Sequence, residues 1–409
     1  MMMDLKLALR NAFRNTRRTG LTLAVLALGV AVLVIFAGFI DNSQEMLREV
    51  TIKNQLGHLQ IARRAYWVDP AGGSLQKFVI EEYAQIRSDL ERIPHVRKVA
   101  ATIDFMGLLG NDQLSLAVAA RGMDIDTTTD VSWNFPRIVA GNVRGNATAN
   151  AGFLGEGLAR GLKSGLHDSL VLLSTTRSGA LNAVDVQVEG IVRTGSREYD
   201  NTILIVPLAR AQTLLGTRGA MRLTVFLDET ASVPRVFPLI QAYLRERHPD
   251  VEARRWWELA TFYLQVVKME DAIFNFLGLI IGAIATVSIV NTFLMSLFER
   301  VDEIGTLRAI GATRLRILRV FMAEGVILGV VGGLAGVLLG VILALLISLK
   351  GIYIPPLPTF NLGYQARINL VPLAIVKAFG LGVLTTVLAS VYPAFRAARL
   401  NIIEAVRHV

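Results

Sequence analysis

The chain contains no cysteine. That removes disulfides, thiol catalysis and Cys-based metal sites together. Histidine is scarce. His58, His95, His167, His248 and His408 are all there is, and none stands in an H-E-x-x-H or comparable ligand spacing. A P-loop is missing too. The nearest approach, GLARGLKSG from Gly157, has Leu162 where a second glycine must precede Lys163, so it reads as a helix followed by a turn. Charge is thin, at 18% of 409 residues, against 53% hydrophobic residues and a mean hydropathy of +0.48. Soluble domains carry a smaller apolar share, so membrane spans are the first feature to seek.

Four stretches are long enough to cross a hydrocarbon core about 30 Å thick. Leu21 to Ile40 and Ile273 to Phe298 hold no charge. Val320 to Leu349 holds only Glu324, and Leu373 to Tyr392 only Lys377, both near a helix end. Ion-coupled carriers place ionisable groups deep in their helices, and these spans do not. The first run follows basic residues, as a signal peptide does. It is too long for an h-region and no A-x-A pattern follows before Asp41, so it reads as an uncleaved span.

Basic flanks set the orientation. Lys6, Arg10, Arg14, Arg17 and Arg18 precede the first span. Arg300, Arg308, Arg314, Arg316 and Arg319 separate the second from the third, and Arg396, Arg399 and Arg407 follow the fourth. Both termini and the segment 299–319 are therefore expected in the cytoplasm. The net charge of +9 serves topology and contact with anionic lipid, and calls for no nucleic acid.

The expected plan is a cytoplasmic amphipathic helix over 1–20, spans at 21–40, 273–298, 320–349 and 373–392, and an external α/β domain over 41–272. An elbow at 299–319, an outer loop at 350–372 and a cytoplasmic tail at 393–409 complete it. In the first of these, Leu5, Leu9 and Phe13 lie beside the basic stripe of Lys6, Arg10 and Arg14. Within the external domain, Phe78 to Arg92 has helical spacing (Ile80, Tyr83, Ile86, Leu90) and stops at Ile93-Pro94, after which Val96 to Leu109 reads as extended. The pattern returns at Val236 to Arg247, with Leu239, Ile240, Tyr243 and Leu244 on one side, a stop at His248-Pro249 and a strand from Val251. These two units suggest two halves of one α/β layer. Between them Leu114 to Ala120, Leu170 to Ser174, Val184 to Val192 and Thr202 to Val206 mark a β-rich insertion over roughly 126–219.

In the third span Gly325, Gly329 and Gly333 are spaced by four, as are Gly332, Gly336 and Gly340, and Gly278 and Gly282 repeat the spacing in the second. Small residues so placed let helix backbones approach closely, within one subunit or across a dimer. The elbow reads ERVDEIGTLRAIGATRLRILRVFMAEG from Glu299. Gly311 suits a helix C′ position and Thr313 an N-cap, which would join a short helix rigidly between two spans. Its charges, Glu299, Arg300, Asp302, Glu303 and Arg308, are expected to face a soluble partner.

This segment, with the glycines after it, resembles the FtsX-like, MacB-like permease family, the membrane subunits of type VII ABC transporters. The matching positions include Glu299, Arg300, Glu303, Ile304, Gly305, Leu307, Arg308, Gly311, Ala312 and Glu324. LALRNAFRNTRRTGLTLAVLALGVAV before and through the first span, and YPAFRAARLNIIEAVR at the tail, are similar to the family as well, with Ile402 where it commonly has proline. The external segment is similar more weakly, in GHLQIARRAY and in GLARGLKSGLHDSLVLL. The resemblance implies an α-helical membrane protein with four transmembrane helices and a large mixed α/β extracytoplasmic domain, a porter-like part with an inserted β-rich part. It implies a dimer, homo or hetero, acting on a cytoplasmic ABC ATPase subunit that binds the ATP and Mg, with no cofactor in this chain. The organisation is nearest the stand-alone LolC/LolE-like permeases of the bacterial inner membrane. Mechanotransmission through Glu299, Arg300, Glu303, Ile304, Gly305, Leu307, Arg308 and Gly311 would then move a lipoprotein, lipid or other hydrophobic export substrate, with a periplasmic adaptor, chaperone or lipoprotein as outer partner. The alternative is an FtsX-like transducer controlling a periplasmic cell-wall hydrolase.

Overall fold

In a bilayer an uncharged run has no hydrogen-bond partner but its own backbone, so it can span only as a helix. A computed structural model of the chain describes residues 10, 15–52, 56–68, 75–125, 136–141, 149–194, 196–355 and 364–399. They fall into a helical unit (Met1–Glu45, Val266–Tyr353 and Gln365–Val409) and an α/β unit (Met46–Gln265 and Ile354–Tyr364). The amphipathic pattern of Leu5, Leu9 and Phe13 and the tail residues Glu404 to Arg407 lie outside the described residues.

Among the described residues four helices are long and apolar enough to cross a membrane: Thr16–Thr51, Thr261–Glu299, Arg314–Lys350 and Pro372–Ala398. Each outruns its apolar stretch, because most of the flanking polar residues are helix formers, and the fourth runs on to Ala398 through Pro393. The glycines of the third helix lie against its neighbours. A Cβ built at Gly325 would meet Ser390 Oγ at 2.5 Å, one at Gly329 would meet Thr386 Cβ at 3.2 Å, and one at Gly333 the Phe379 ring at 2.9 Å, all on the fourth helix. At Gly332, Gly336 and Gly340 it would meet Leu26 at 2.7 Å, Ala27 and Val30 at 2.7 Å, and Val34 at 3.0 Å, all on the first. Residues seven apart differ by only about 20° around a helix. The two ladders are thus one stripe that faces the fourth helix first and the first helix further along. Gly278 and Gly282 do not share this role: a Cβ there meets Leu381 and Thr385 at 3.6 and 3.7 Å, an ordinary contact.

Two buried hydroxyls of the fourth helix are satisfied by their own backbone. Thr386 Oγ1 donates to the Gly382 carbonyl at 2.9 Å and Ser390 Oγ to the Val387 carbonyl at 2.7 Å. The segment before that helix is stitched to two others. Asn369 N–H donates to the Gly38 carbonyl at 3.1 Å, and Ser348 Oγ both accepts from Ile368 N–H at 3.0 Å and donates to its carbonyl at 3.2 Å.

Among the described residues the α/β unit is built on one mixed sheet of ten strands. They are β1 Leu59–Arg63, β2 Val96–Gly110, β3 Ser115–Met123, β4 Arg137–Gly141, β5 Ala151–Gly155, β6 Ser169–Thr175, β7 Leu181–Arg193, β8 Ile203–Pro207, β9 Arg222–Leu227 and β10 Val251–Arg255. The order is β10-β1-β9-β2-β3-β8-β5-β7-β4, with β6 bridging β2 and β7. β2 serves two neighbours in turn. Val96–Thr102 pairs with β9, and Thr102–Gly110 continues along β3, so one sheet runs through the whole unit.

Several helices cover this sheet, among them Leu208–Leu215, which buries Ala211, Leu214 and Leu215, and two at the positions of the helical spacing. Tyr83–Leu90 buries Ile86 and Leu90, and Val233–Arg247 buries Val233, Val236, Ile240 and Leu244. The first is shorter than the sequence spacing suggests, because Ile80 instead exchanges backbone hydrogen bonds with Ala220 at 2.8 and 3.1 Å. In the second, Leu239 points outward, 54% exposed, since the face set by 233, 236, 240 and 244 leaves it on the opposite side. GLARGLKSG forms the helix Glu156–Leu162 and ends at Lys163 in the left-handed region.

A charged cluster crosses the strands on one face. Arg121 Nε donates to Asp104 Oδ1 at 2.6 Å, Arg222 Nη2 to Asp104 Oδ2 at 2.9 Å, and Arg222 Nη1 to Tyr66 Oη at 3.2 Å. Burial works against the charged carboxylate, but Arg121 and Arg222 together hold Asp104 below its ordinary pKa.

Candidate coupling site at the elbow

The second long helix ends at Glu299. Arg300 leaves helical geometry (φ −116°, ψ 14°), and a short helix runs over Val301–Ala309. Its end is closed by a glycine. Gly311 takes φ +103°, its N–H donates to the Arg308 carbonyl, and Ala312 N–H donates to the Leu307 carbonyl, both at 3.0 Å. This pairing is a Schellman closure, which needs a residue at ease in the left-handed region. Thr313 Oγ1 then accepts from Arg316 N–H at 3.3 Å and caps the third long helix. Asp302 and Glu303 sit in the first turn of the short helix and Arg308 in the last, matching its dipole.

The elbow has two faces. Ile304 and Gly305 are buried, and Ile304 packs in a cluster with Leu297, Phe293, Ile317 and Phe321. Outward lie Asp302, Glu303 and two apolar side chains, Leu307 and Ile310, 51% and 80% exposed. The sequence reading of Arg300 as an outward charge is corrected. Its guanidinium is turned inward, with Nη1 3.5 Å from Glu324 Oε2 and both side chains almost wholly buried. The physical reason is the break at Arg300, which swings this one residue off the outer face. Glu299 is exposed but engaged: Arg18 on the first helix contacts it at two points, Nη1–Oε2 3.0 Å and Nη2–Oε1 2.6 Å.

Arg18 was legible only as part of a basic flank, and Glu324 only as a lone acid near a helix end. Nothing local links either to residues 299–300. Together with Asn15, Thr19, Thr292 and Ser296 these four charges line a cavity of about 190 Å³, room for several water molecules. Thr22 Oγ1 donates to Thr292 Oγ1 at 2.9 Å nearby, and Arg396 stacks over the Phe298 ring at 5.5 Å. Among the described residues no three His, Asp or Glu side chains converge as a metal site would need.

A helical unit with a capped elbow, carrying an α/β domain inserted between its first two spans, defines a class of membrane permease. Residues 19–243 match the model of the MacB-like periplasmic core domain, and residues 275–402 that of the FtsX-like permease C-terminal region. The chain belongs to the FtsX-like, MacB-like ABC transporter permease family.

It is 26% identical to the pyoverdine export ATP-binding/permease protein PvdT of Pseudomonas entomophila, over 98% of this chain and 59% of that protein. It is 23% identical to the lipoprotein-releasing system transmembrane protein LolC of Neisseria meningitidis, over 62% of this chain and 64% of that protein. The crystal structure of the periplasmic region of MacB from Actinobacillus actinomycetemcomitans matches 51% of this chain and 92% of that one, at 13% identity and a TM-score of 0.38. The chain spans 33% to 59% of the length of the MacB and PvdT relatives it matches.

Proposed function

We propose that this chain is the permease subunit of an ABC transporter in a bacterial inner membrane, driven through its elbow by a separate cytoplasmic ATPase. One observation carries the reading. The short helix Val301–Ala309 is fixed at both ends and along its inner face, yet presents Asp302, Glu303, Leu307 and Ile310 outward. A helix so anchored transmits a push to the spans on either side of it. Two apolar side chains ringed by charge suit a protein groove, where an apolar anchor inside a polar rim carries most of the binding energy.

The ATP and Mg would be held by the partner, two copies of which act on a permease dimer. ATP-driven closure would move the elbows, rock the spans and rearrange the external domains. A lipoprotein, lipid or other hydrophobic substrate would be moved from the periplasm or the outer leaflet. The family relation to a lipoprotein-releasing protein and to a pyoverdine exporter supports that substrate class.

The test is co-purification of the ATPase with the permease carrying Leu307→Asp and Ile310→Asp. Removing central apolar anchors commonly costs about 2–4 kcal/mol of binding, so the ATPase should be lost while the permease still inserts. Undiminished binding would place the contact elsewhere.

A further inference from the structure

We propose that Arg18, Glu299, Arg300 and Glu324 form a two-sided electrostatic latch that sets the resting position of the elbow helix. Glu299 and Arg300 are consecutive, at the junction where the second long helix ends and the elbow begins. Their side chains diverge to two different neighbours. Glu299 is held by Arg18 of the first helix, and Arg300 by Glu324 of the third. The chain departs from helical geometry at only two places between Thr261 and Lys350, Arg300 and the turn at Gly311, so these are the points about which the elbow pivots. Any rotation at the first of them must lengthen one pair or the other.

The surroundings are suited to release as well as to holding. A buried ion pair broken in hydrocarbon would strand two charges, which is why such pairs are usually permanent. Here both pairs open onto one cavity whose wall also carries Asn15, Thr19, Thr292 and Ser296. These polar groups and water can solvate the charges as they part. The pairs are also unequal. Arg18 grips Glu299 at two points, whereas Arg300 reaches Glu324 at one, 3.5 Å away, at the limit of a hydrogen bond. The latch rests on the proposed docking role for its purpose, but its geometry lies wholly within this chain.

The absence of cysteine makes the test direct and needs no ATPase. The full chain in phospholipid nanodiscs carries either Ser296→Cys, on the cavity wall, or Thr386→Cys, fully buried between the third and fourth helices. Labelling by a small methanethiosulfonate reagent is timed for each. Glu324→Gln should speed labelling at position 296 by about tenfold, the equivalent of about 1.4 kcal/mol, and leave position 386 unchanged. Arg18→Gln should act in the same direction. The double reversal Arg300→Glu with Glu324→Arg should return position 296 to the parental rate. The latch is wrong if neither single variant changes labelling at 296, if 296 and 386 rise together, or if the reversal fails to restore the rate. Loss of ATPase binding in the docking variants would leave these rates as they are, so the two readings fail separately.

Discussion

Gly336 stands against Val30 with no room for a side chain. A Cβ there would lie 2.7 Å from the Val30 Cβ and 2.7 Å from the Ala27 carbonyl oxygen. Lipid offers no hydrophobic drive for helices to associate, so this backbone approach is itself part of what holds the first and third helices together. Gly336→Leu should therefore lower the melting temperature of the purified protein, since overpacking costs about 1–3 kcal/mol. Gly278→Ala, with its nearest neighbour at 3.6 Å, should leave it unchanged. Equal melting temperatures for the two variants would show that the stripe does not hold the unit together.

The elbow depends on one backbone conformation. Gly311 at φ +103° has no cheap replacement, and Gly311→Ala should cost about 1 kcal/mol or more, with Gly311→Asn milder because asparagine tolerates the left-handed region better. Thr313→Ala removes the cap of the third helix and should cost about 1 kcal/mol. Both are read as melting temperature and as ATPase stimulation by the reconstituted permease. Coupling should fall in both variants even where the assembled complex forms. Full coupling by Gly311→Ala would mean the elbow need not be rigid.

Asp104 gives the α/β unit a pH dependence of known sign. Its pKa is lower folded than unfolded, so its stabilisation is complete above the unfolded value and is lost as pH falls through the folded one. The side chain is about a third exposed, so solvent screens the cluster and Asp104→Asn should cost only about 1 kcal/mol at neutral pH. The difference in melting temperature between the parent and Asp104→Asn should shrink as pH is lowered from 7 towards 3. A difference that grows with acid would reverse the assignment.

Orientation can be read with the same cysteine-free background. Ser178→Cys, on an exposed turn of the α/β unit, should react with an impermeant maleimide in intact spheroplasts. Thr16→Cys and Thr313→Cys should react only after permeabilisation. Labelling of position 313 from outside would overturn the four-span topology and the elbow's access to a cytoplasmic partner.

The spans were legible because an uncharged run of membrane length has one physical solution. Helix Val233–Arg247 is legible from its period and its stop, although Leu239, which the spacing groups with Ile240 and Leu244, lies off the buried face. The sheet order was not legible. β1 sits between β9 and β10, strands that lie far away in sequence, and no local pattern announces such a partner. The same limit hid the core of the candidate site. Arg18 and Glu299 are 281 positions apart, and a charge carries no mark of which opposite charge it will meet. Buried Arg300 shows the converse case, where a one-residue break inside a charged run turned a side chain that composition alone puts in water.

The bond from Asn369 to the Gly38 carbonyl, with the reciprocal Ser348–Ile368 pair, makes the link before the fourth helix a rivet instead of a slack tether. With the glycine stripe set against both others, the first, third and fourth helices are joined by close backbone approach as well as by side chains. The second helix makes polar contacts with the first at Arg18–Glu299, Thr22–Thr292 and Ser43–Glu270, and packs Phe293 and Leu297 in a buried cluster with Ile317 and Phe321 of the third. If the elbow is pushed as proposed, the displacement reaches these joined helices on one side and a single unbroken helix about 58 Å long on the other.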